Sequence, residues 1–502
     1  MSLRYGHPRN LFMRLLSTCL FLAGVMPSTF NVSAQTSDKP MSPESFILQQ
    51  VSLRKEANLE GFHDRKISAE FLEALLISNT RDDISNQPGV AILNAEIVGN
   101  FEIPNTEVAR ETILNNCQFD GKVDLSGTHF RYDLSLLKAH FLQDVSAGQL
   151  KVDGDLNLKD AQAAGDFDLA ASAIGGTLYL SGAQILADKA DFGFLKVGTH
   201  ADFTRLASNG TLSLAGADLQ SLMLGGTPAP KVIDLTGAVV HRHMSIQAAK
   251  FESLRAGGLQ VLGQALFQDV NITSDVDFTD AHFQDLIFQD AISWPAQESS
   301  FRMDGITFSS VYPGNEKDVA ILDARDAQKM QVRWNSLLDN WVDRSTFSPQ
   351  VYQQLETAFR TVGMTTLSNS VFEHMKTREL TEGHLTTPRK IWNFLLWIFV
   401  GYGREPQRAL LWSLAVVVFG CFVFPNKDYV IARRPEDEKM TYNPFWYSLG
   451  LFLPLETLLA SDVWVPKQDD RFRRNYARIH TLLGWILIPF GLAAITGLIP
   501  GK

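Results

Sequence analysis

Two groups of closely spaced aspartates are the first residues in this 502-residue chain that could do chemistry. They are Asp153, Asp155, Asp160, Asp166 and Asp168, followed later by Asp275, Asp277 and Asp280. Carboxylates on neighbouring strands can act as the acid and the base of glycan cleavage, or as ligands of a hard cation. Aspartate is also favoured in turns, where its side chain accepts backbone hydrogen bonds. We expect this structural role for both groups.

Two histidines and one glutamate are the other candidates. His241 and His243 could contact a metal ion, but no second His or Cys cluster lies near them, so we expect exposed strand residues. Glu456 lies within an apolar run, and a carboxylate inside a membrane is a functional candidate by default. Alternatively, Glu456 ends a short interfacial helix and reaches the lipid headgroups. Glu456 is the one site residue we name, and we expect no cofactor or metal ion.

An eleven-residue repeat must position most of these side chains. The units VDLSGTHF from Val123, LSLLKAHF from Leu134 and LNLKDAQA from Leu156 share one frame. The frame continues to Phe278 with slips of one residue. A repeat sustained over this length predicts a solenoid, in which each unit contacts its neighbours along a stack.

The spacing within each unit indicates strands rather than helices. Apolar residues fall at i, i+2, i+5 and i+7, as in Val123, Leu125, Thr128 and Phe130. Recurring glycines such as Gly127 would each cost a helix about 1 kcal/mol. Two short strands per unit predict a four-sided β-solenoid in which about 22 residues close one turn and rungs stack about 4.8 Å apart. One position admits only small side chains, namely Ala139, Ala161, Ala183, Ala217, Ala238, Ala249 and Ala281.

The N-terminus predicts export. Arg4, Arg9 and Arg14 precede an apolar run, and small residues end at Ala34, so residues 1–34 are expected to be a cleaved signal peptide. Two cysteines would remain after cleavage, and no disulfide is expected between them.

The composition divides the rest of the chain into four regions. Residues 35–90 form an N-terminal region with a helical cap that opens at Ser68, and residues 91–310 form the solenoid. Residues 311–390 form a helical connector, with an amphipathic helix at 324–344 and a hairpin interrupted at Gly363. Residues 391–502 form an α-helical membrane domain, with spans at about 409–425 and 479–499 and a re-entrant or interfacial helix at 445–460.

The charges between the two spans predict the orientation of the chain. This segment carries nine basic residues, which are Lys427, Arg433, Arg434, Lys439, Lys467, Arg471, Arg473, Arg474 and Arg478. Positive loops stay in the cytoplasm. We therefore expect a bacterial cytoplasmic-membrane protein whose solenoid faces the periplasm or the exterior.

The sequence resembles bacterial pentapeptide-repeat-like membrane proteins with a C-terminal two-span, ion-channel-like region. The resemblance rests on SAEFLEALL, on the VDLSGTHF-type units and on a tail that includes YGREPQRALLWSL, YNPFWYSLGLFLPLETL and GWILIPFGLAAITGLI. It implies a mainly β fold: a right-handed, quadrilateral β-helix with a helical cap and a membrane tail. It implies little about activity.

The tail departs from potassium channels where their selectivity filter would lie. A filter is glycine-rich and coordinates ions through backbone carbonyls. The matching stretch, Thr457 to Pro466, contains no glycine, and the inferred topology places it on the cytoplasmic side.

We expect a non-enzymatic, membrane-anchored interaction or envelope-organising module, whose solenoid face binds a protein or a glycan. No metalloprotease, hydrolase, thiol-redox, P-loop or dinucleotide-binding motif is present. Two alternatives are an ion-channel-like pore or transport-associated protein, which oligomerises through its spans around Glu456, and a glycan-active β-helix enzyme. The net charge of −10 and export argue against nucleic acid as a partner.

Overall fold

The computed structural model of the chain describes residues 41–77, 89–295, 300–313, 341–361, 363–382, 385–453 and 463–496. The predicted signal peptide, Glu456 and residues 324–340 of the predicted amphipathic helix lie outside these residues. The elements below all belong to one unit, Pro43–Lys502.

Parallel ladders of short strands form a β-solenoid of about ten turns. We number the ladders by the strands of one turn: ladder 1 through Val123–Asp124, ladder 2 through His129–Phe130, ladder 3 through Leu134–Ser135 and ladder 4 through His140–Phe141. Val123 pairs with Val145, 22 positions further along the chain, as the repeat predicts. Turns of slightly different length account for the slips in the repeat.

Most strands contain two to four residues. Ladder 1 contains Phe101–Glu102, Val123–Asp124, Val145–Ser146, Phe167–Asp168, Lys189–Asp191, Thr211–Ser213, Val232–Asp234 and Phe301–Arg302. Ladder 2 contains Glu107–Val108, His129–Phe130, Lys151–Val152, Ala173–Ile174 and Lys196–Val197. Ladder 3 contains Ala57–Asn58, Val90–Leu93, Thr112–Asn115, Leu134–Ser135, Leu156–Asn157, Leu178–Tyr179 and Ala201–Thr204. Ladder 4 contains Lys66–Ser68, Glu96–Val98, Gln118–Phe119, His140–Phe141, Gln162–Ala163, Gln184–Ile185 and Ala207–Ser208.

Longer strands continue the ladders toward the C-terminal end of the solenoid. They bend through the corners, so that one strand contributes to more than one ladder. These strands are Asp218–Gly225, Val239–Arg255, Gln260–Asp277, His282–Ser293 and Thr307–Pro313.

Corners in successive turns repeat a left-handed backbone conformation. Between ladders 1 and 2 it is adopted by Gly127 (φ 66°), Gln149 (φ 60°), Ala171 (φ 56°) and Phe194 (φ 56°). A residue with a Cβ costs about 1–2 kcal/mol in this conformation. Hydrogen bonds between turns offset this cost, as where Gln149 N–H donates to the Ala170 carbonyl over 2.8 Å.

The interior is filled by apolar side chains that alternate along each strand. Phe119 and Phe141 stack with ring centres 5.1 Å apart. All seven alanines predicted to share a narrow position are buried. Because eleven residues make half a turn, this position occurs at two corners, represented by Ala139 before ladder 4 and Ala217 before ladder 2.

Helices cover the N-terminal end of the solenoid. Helix α1 is Pro43–Ser52 and helix α2 is Ala69–Ile77, which confirms the helix predicted after Ser68. Ser68 Oγ accepts a hydrogen bond from Phe71 N–H over 3.2 Å. The Glu73 carboxylate accepts the N–H of Glu102 over 2.8 Å. Helix α2 thereby satisfies a backbone group at the edge of ladder 1.

Trp341 packs against the C-terminal turns. Its indole is fully buried, with its centre 4.8 Å from the Phe288 ring and 6.1 Å from the Phe308 ring. Thr346 N–H donates to the Phe301 carbonyl over 3.1 Å. The chain therefore returns across the last apolar layer before the next helix begins.

Helix α3, Pro349–Thr361, and helix α4, Thr365–Thr381, form the predicted hairpin, with Gly363 at the break. In the described residues after this hairpin, the helices are α5 (Thr387–Val400), α6 (Pro406–Val423), α7 (Pro444–Phe452) and α8 (Arg471–Ile495). Strands Val430–Ala432 and Trp464–Pro466 pair antiparallel between them. Short 3₁₀ helices occupy Gly401–Gly403, Lys427–Tyr429 and Pro435–Lys439.

Candidate functional site

Large apolar side chains are exposed on α5, α6 and α8. Phe422 of α6 is 75% exposed and Trp485 of α8 is 62% exposed. The same surface includes Ile391, Trp392, Phe394, Trp397, Leu410, Leu411, Leu414, Phe419, Ile479, Leu482 and Leu492. Soluble monomers seldom expose so many large apolar side chains on neighbouring helices. The surface is therefore suited to an apolar environment.

One helix of the described residues, Arg471–Ala493, is long and apolar enough to cross a membrane. Thr387–Gly403 and Gln407–Val423 satisfy the same criterion together, but a bend of 114° separates them. Most of the apolar stretch in Arg471–Ala493 is not buried by other parts of the chain.

Helices α6, α7 and α8 approach closely at two glycines. A Cβ at Gly420 would overlap the Ser448 hydroxyl, and a Cβ at Gly484 would overlap the Phe452 carbonyl. The Ser448 hydroxyl donates to the Val417 carbonyl over 2.7 Å. Small residues and hydroxyl hydrogen bonds of this kind hold helices together in lipid.

His480 is a fully buried imidazole at this crossing that the sequence analysis overlooked. Its Nε2 lies 3.0 Å from the Ser448 carbonyl, and its Nδ1 lies 3.0 Å from the Tyr476 hydroxyl. A carbonyl can only accept, so the neutral ring carries its hydrogen on Nε2 and accepts from Tyr476 at Nδ1. Both ring nitrogens therefore form hydrogen bonds within the helices, so His480 has a structural role here.

An apolar cavity of about 430 Å³ lies between α6, α7 and α8. Leu410, Leu449 and Leu487 are among its lining residues. Its polar lining residue, Ser413, donates its hydroxyl to the Ala409 carbonyl over 2.7 Å. The described residues that line the cavity therefore present no charge to an ion, and Glu456 lies outside the described residues.

The bend between α5 and α6 is fixed by the helical hairpin. Gly401, Tyr402 and Gly403 all have positive φ, at 52°, 56° and 90°. The buried Tyr402 ring meets the Phe372 ring of α4 edge to face, with centres 6.1 Å apart. A tyrosine in the left-handed conformation persists only where its surroundings determine it. The packing against α4 supplies that constraint.

Arg404 connects this bend to both helices of the hairpin. Its side chain is 4% exposed, and its Nη2 lies 2.5 Å from Glu356 of α3. Its Nη1 donates to the Asn369 side chain over 2.8 Å. Its guanidinium also lies 4.0 Å from the centre of the Phe372 ring. Arg404 therefore ties the hairpin to the apolar helices.

A second arginine holds the hairpin against the segment that follows Trp341. Arg378 donates to the Val342 carbonyl over 3.0 Å and to the Ser345 carbonyl over 3.2 Å. Its Nη2 lies 2.5 Å from Glu382. Burial works to lower the pKa of Arg378, but Glu382 and Tyr352 outweigh it and raise that pKa. The guanidinium is therefore a fixed charge.

Three aspartates at the corners of the solenoid, one of which is Asp155 of the first group, accept backbone hydrogen bonds from the next turn. Asp133 Oδ1 accepts the N–H of Asp155 over 2.8 Å, and Asp155 Oδ1 accepts the N–H of Thr177 over 2.7 Å. Asp144 Oδ1 accepts the N–H of Asp166 over 3.1 Å. Each acceptor bridges to the next turn, 22 positions further along the chain. These carboxylates stabilise the corners, as expected for a structural role.

Other aspartates bend the backbone locally. Asp168 and Asp277 each accept the N–H two residues further on, over 2.8 Å and 3.0 Å. Asp160 and Asp280 occupy left-handed corners, each with φ of 55°. Asp275 is exposed on its strand, as is Asp166 at its corner.

Two of the candidate aspartates, Asp153 and Asp277, form ion pairs on the solenoid surface. Asp153 lies 2.9 Å from His129 and 3.1 Å from Lys151, and these contacts lower its pKa. Partial burial works to raise the pKa of Asp277, but hydrogen bonds from Thr279 and the charge of Arg302 outweigh it and hold that pKa below its usual value. Neither group has the raised pKa that a general acid needs near neutral pH.

His241 and His243 are exposed residues of the strand Val239–Arg255, as predicted. His241 Nε2 lies 2.7 Å from Asp218 Oδ1. Within the described ranges, no three His, Cys, Asp or Glu side chains come together in a way that could hold a metal ion.

Ladder 4 carries a row of outward polar side chains that the sequence analysis also overlooked. Gln118, His140, Gln162 and Gln184 lie in register on successive turns. Their separation by 22 positions is visible in the sequence. This spacing would have predicted the polar row if alternate eleven-residue units had been assigned to different faces of the solenoid.

No protein-family model matches the chain, and no curated protein or solved structure is significantly similar to it. The geometry of this chain is therefore the basis on which its function is proposed.

Proposed function

We propose that the chain is a membrane-anchored periplasmic β-solenoid that acts as a non-enzymatic interaction and envelope-organising module. In this proposal the solenoid is right-handed and quadrilateral, and α6 and α8 span the cytoplasmic membrane of a bacterium. The exposed apolar surface of α5, α6 and α8 carries the proposal. Burying one large apolar side chain is favourable by about 1.5–3 kcal/mol, so transfer of this surface into lipid has a strong driving force.

The distribution of basic residues supports the orientation. The segment between α6 and α8 carries exposed cations such as Arg434 and Lys439, and α8 begins with Arg471. At the other end of α6, Arg404 and Arg408 form ion pairs with glutamates. Positively charged loops remain in the cytoplasm, so this arrangement supports a solenoid on the opposite side.

The hydrogen bonds of the solenoid support a scaffold rather than a glycan-cleaving enzyme. Asp155, Asp168 and Asp277 each accept a backbone N–H, so part of their capacity is used to shape corners. The outward side chains of each ladder are repeated in rows, which suits recognition of an extended partner.

Carbonate extraction of membranes tests the anchor, and reporter fusions at Gln35, Lys439 and Lys502 test the orientation. We expect the protein to stay in the membrane pellet, with Lys439 reporting a cytoplasmic position and Gln35 and Lys502 an external one. Release by carbonate would overturn the anchor. An external Lys439 would overturn the orientation.

A pore is the second candidate, because the short helix α7 packs against both α6 and α8. Ser448 of α7 contacts Val417 of α6 and His480 of α8. This resembles the pore helix of a two-span channel, and oligomerisation through the spans would complete such a pore. Conductance in planar bilayers that is abolished by Glu456→Gln, but not by Glu436→Gln in the basic loop, would favour the pore over the module.

A further inference from the structure

One face of the solenoid combines a row of polar side chains with a row of apolar side chains. We call it the ladder 4 face, and its three central rungs pair His140 with Gln162 and Gln162 with Gln184. Two positions further along each rung, a second outward residue is exposed. The polar row is His140, Gln162 and Gln184, and the apolar row is Leu142, Ala164 and Leu186.

The polar row is not used inside the protein. Within the described part of the chain, the side chains of His140, Gln162 and Gln184 have neither hydrogen-bond partners nor ion pairs. Elsewhere on the solenoid, polar side chains in similar rows are paired with one another, as where Lys66 pairs with Glu96 on the first rungs of ladder 4. On ladder 2, His129 and Lys151 both contact Asp153. The three central rungs of the ladder 4 face therefore keep their side-chain donors and acceptors available to a partner.

The apolar row lies directly beside the polar row. Leu142 and Leu186 are 50% and 52% exposed, two rungs apart on the same column. Ala164 lies between them and is exposed as well. The three rungs contain no carboxylate, ammonium or guanidinium group. These three rungs therefore offer hydrogen-bonding and apolar groups to a partner.

We propose that the ladder 4 face binds an uncharged, extended glycan, with one sugar residue on each rung. Carboxamides both donate and accept, so Gln162 and Gln184 match sugar hydroxyl and acetamido groups. Leucine and alanine contact the apolar faces of sugar rings. Rungs lie about 4.8 Å apart, close to the length of one residue in an extended β-1,4-linked chain. This inference rests on the proposed function, which exposes the face outside the cytoplasm.

The test measures binding of the detergent-purified full chain to a β-1,4-linked N-acetylglucosamine hexamer by calorimetry, and to isolated peptidoglycan sacculi by sedimentation. The probe variant combines Gln184→Ala with Leu186→Ser. The matched control combines Gln260→Ala with Leu262→Ser, because these exposed residues have the same types and spacing on ladder 2. We expect the probe variant to bind at least about fivefold more weakly and the control to stay within about twofold of the native protein, since one uncharged hydrogen bond and one apolar contact are lost.

Absence of hexamer and sacculus binding by the native protein overturns the inference, as does equal weakening in both variants. A chemical crosslink between two copies that the probe variant removes, without glycan binding, would assign the face to self-association and also overturn it. Circular dichroism melting of both variants checks that the fold is retained. Carbonate extraction stays a separate measurement, so loss of glycan binding in a protein retained in membranes overturns this inference alone.

Discussion

Replacing Arg404 by methionine should loosen the junction between the helical hairpin and the apolar helices. The Arg404 side chain is 4% exposed and lies 2.5 Å from Glu356, with a further hydrogen bond to Asn369. Removing one partner of a buried ion pair costs about 3–5 kcal/mol, because the other charge is left uncompensated. Glu356 also contacts Arg360 over 2.6 Å and keeps that partner. We therefore expect the lower end of the range, about 3 kcal/mol.

Amide hydrogen exchange of the detergent-solubilised protein measures this loss locally. A local opening free energy that falls by about 3 kcal/mol speeds exchange in α4 about 100-fold. Arg360→Met is the matched control, since Arg360 is 46% exposed and an exposed pair contributes less than about 1 kcal/mol. Arg404→Lys should give an intermediate result, because lysine restores the charge without the planar fork. Equal exchange rates in Arg404→Met and Arg360→Met would refute the reasoning.

The ends and corners of the fold give three further expectations. Trp341→Ala should leave a cavity against the last turns of the solenoid and cost about 3–5 kcal/mol, seen as a lower melting temperature by circular dichroism; an unchanged temperature would show that the indole is dispensable. Asp155→Ala should lower the free energy of unfolding by about 1–3 kcal/mol, because it removes the acceptor of the Thr177 N–H. Asp155→Asn keeps an acceptor and should have a melting temperature closer to that of the native protein; the reverse order would contradict the bridging role. Burial works to raise the pKa of Asp343, but hydrogen bonding and charge from His374 outweigh it and lower that pKa. A lowered carboxyl pKa stabilises the fold above the unfolded value of about 3.9, and this contribution disappears as the pH falls through the folded value. Melting temperatures should therefore decline more steeply below about pH 4 in the native protein than in Asp343→Asn, and parallel curves would contradict the assignment.

The periodic part of the fold was predictable from the sequence, because the residues of each rung show the strand pattern locally. Val123 and Leu125 alternate with polar neighbours, and the same alternation returns eleven and 22 positions later. The helix after Ser68 and the break at Gly363 were predictable for the same reason, since each depends on neighbouring residues. Apolar composition located α6, Pro406–Val423, within a few residues of the predicted span at 409–425. Helix α8 begins at Arg471, before the span predicted from residue 479, because its first turns are polar and charged.

Contacts between distant residues were not predictable in this way. Arg404 and Glu356 are 48 positions apart, and no local pattern links them. The role of Asp155 depends on the Thr177 N–H, which lies beside it only after a full turn has closed. Predicting the polar row of ladder 4 would have required knowledge of which half of each turn contains Gln162. The aspartate groups suggested possible chemistry in the sequence, but hydrogen bonds such as that of Asp155 indicate a structural role.

Pairing between adjacent turns has a consequence for how this protein can change in evolution. Val145 pairs with Val123 on one side and with Phe167 on the other. Loss of residues 145–166 would bring Phe167 opposite Val123 with every neighbouring strand still in phase. Duplication or deletion of such a segment would move the distal tip by one step of about 4.8 Å without redesign of either end. The length of the solenoid can thus change during evolution in small, equal steps.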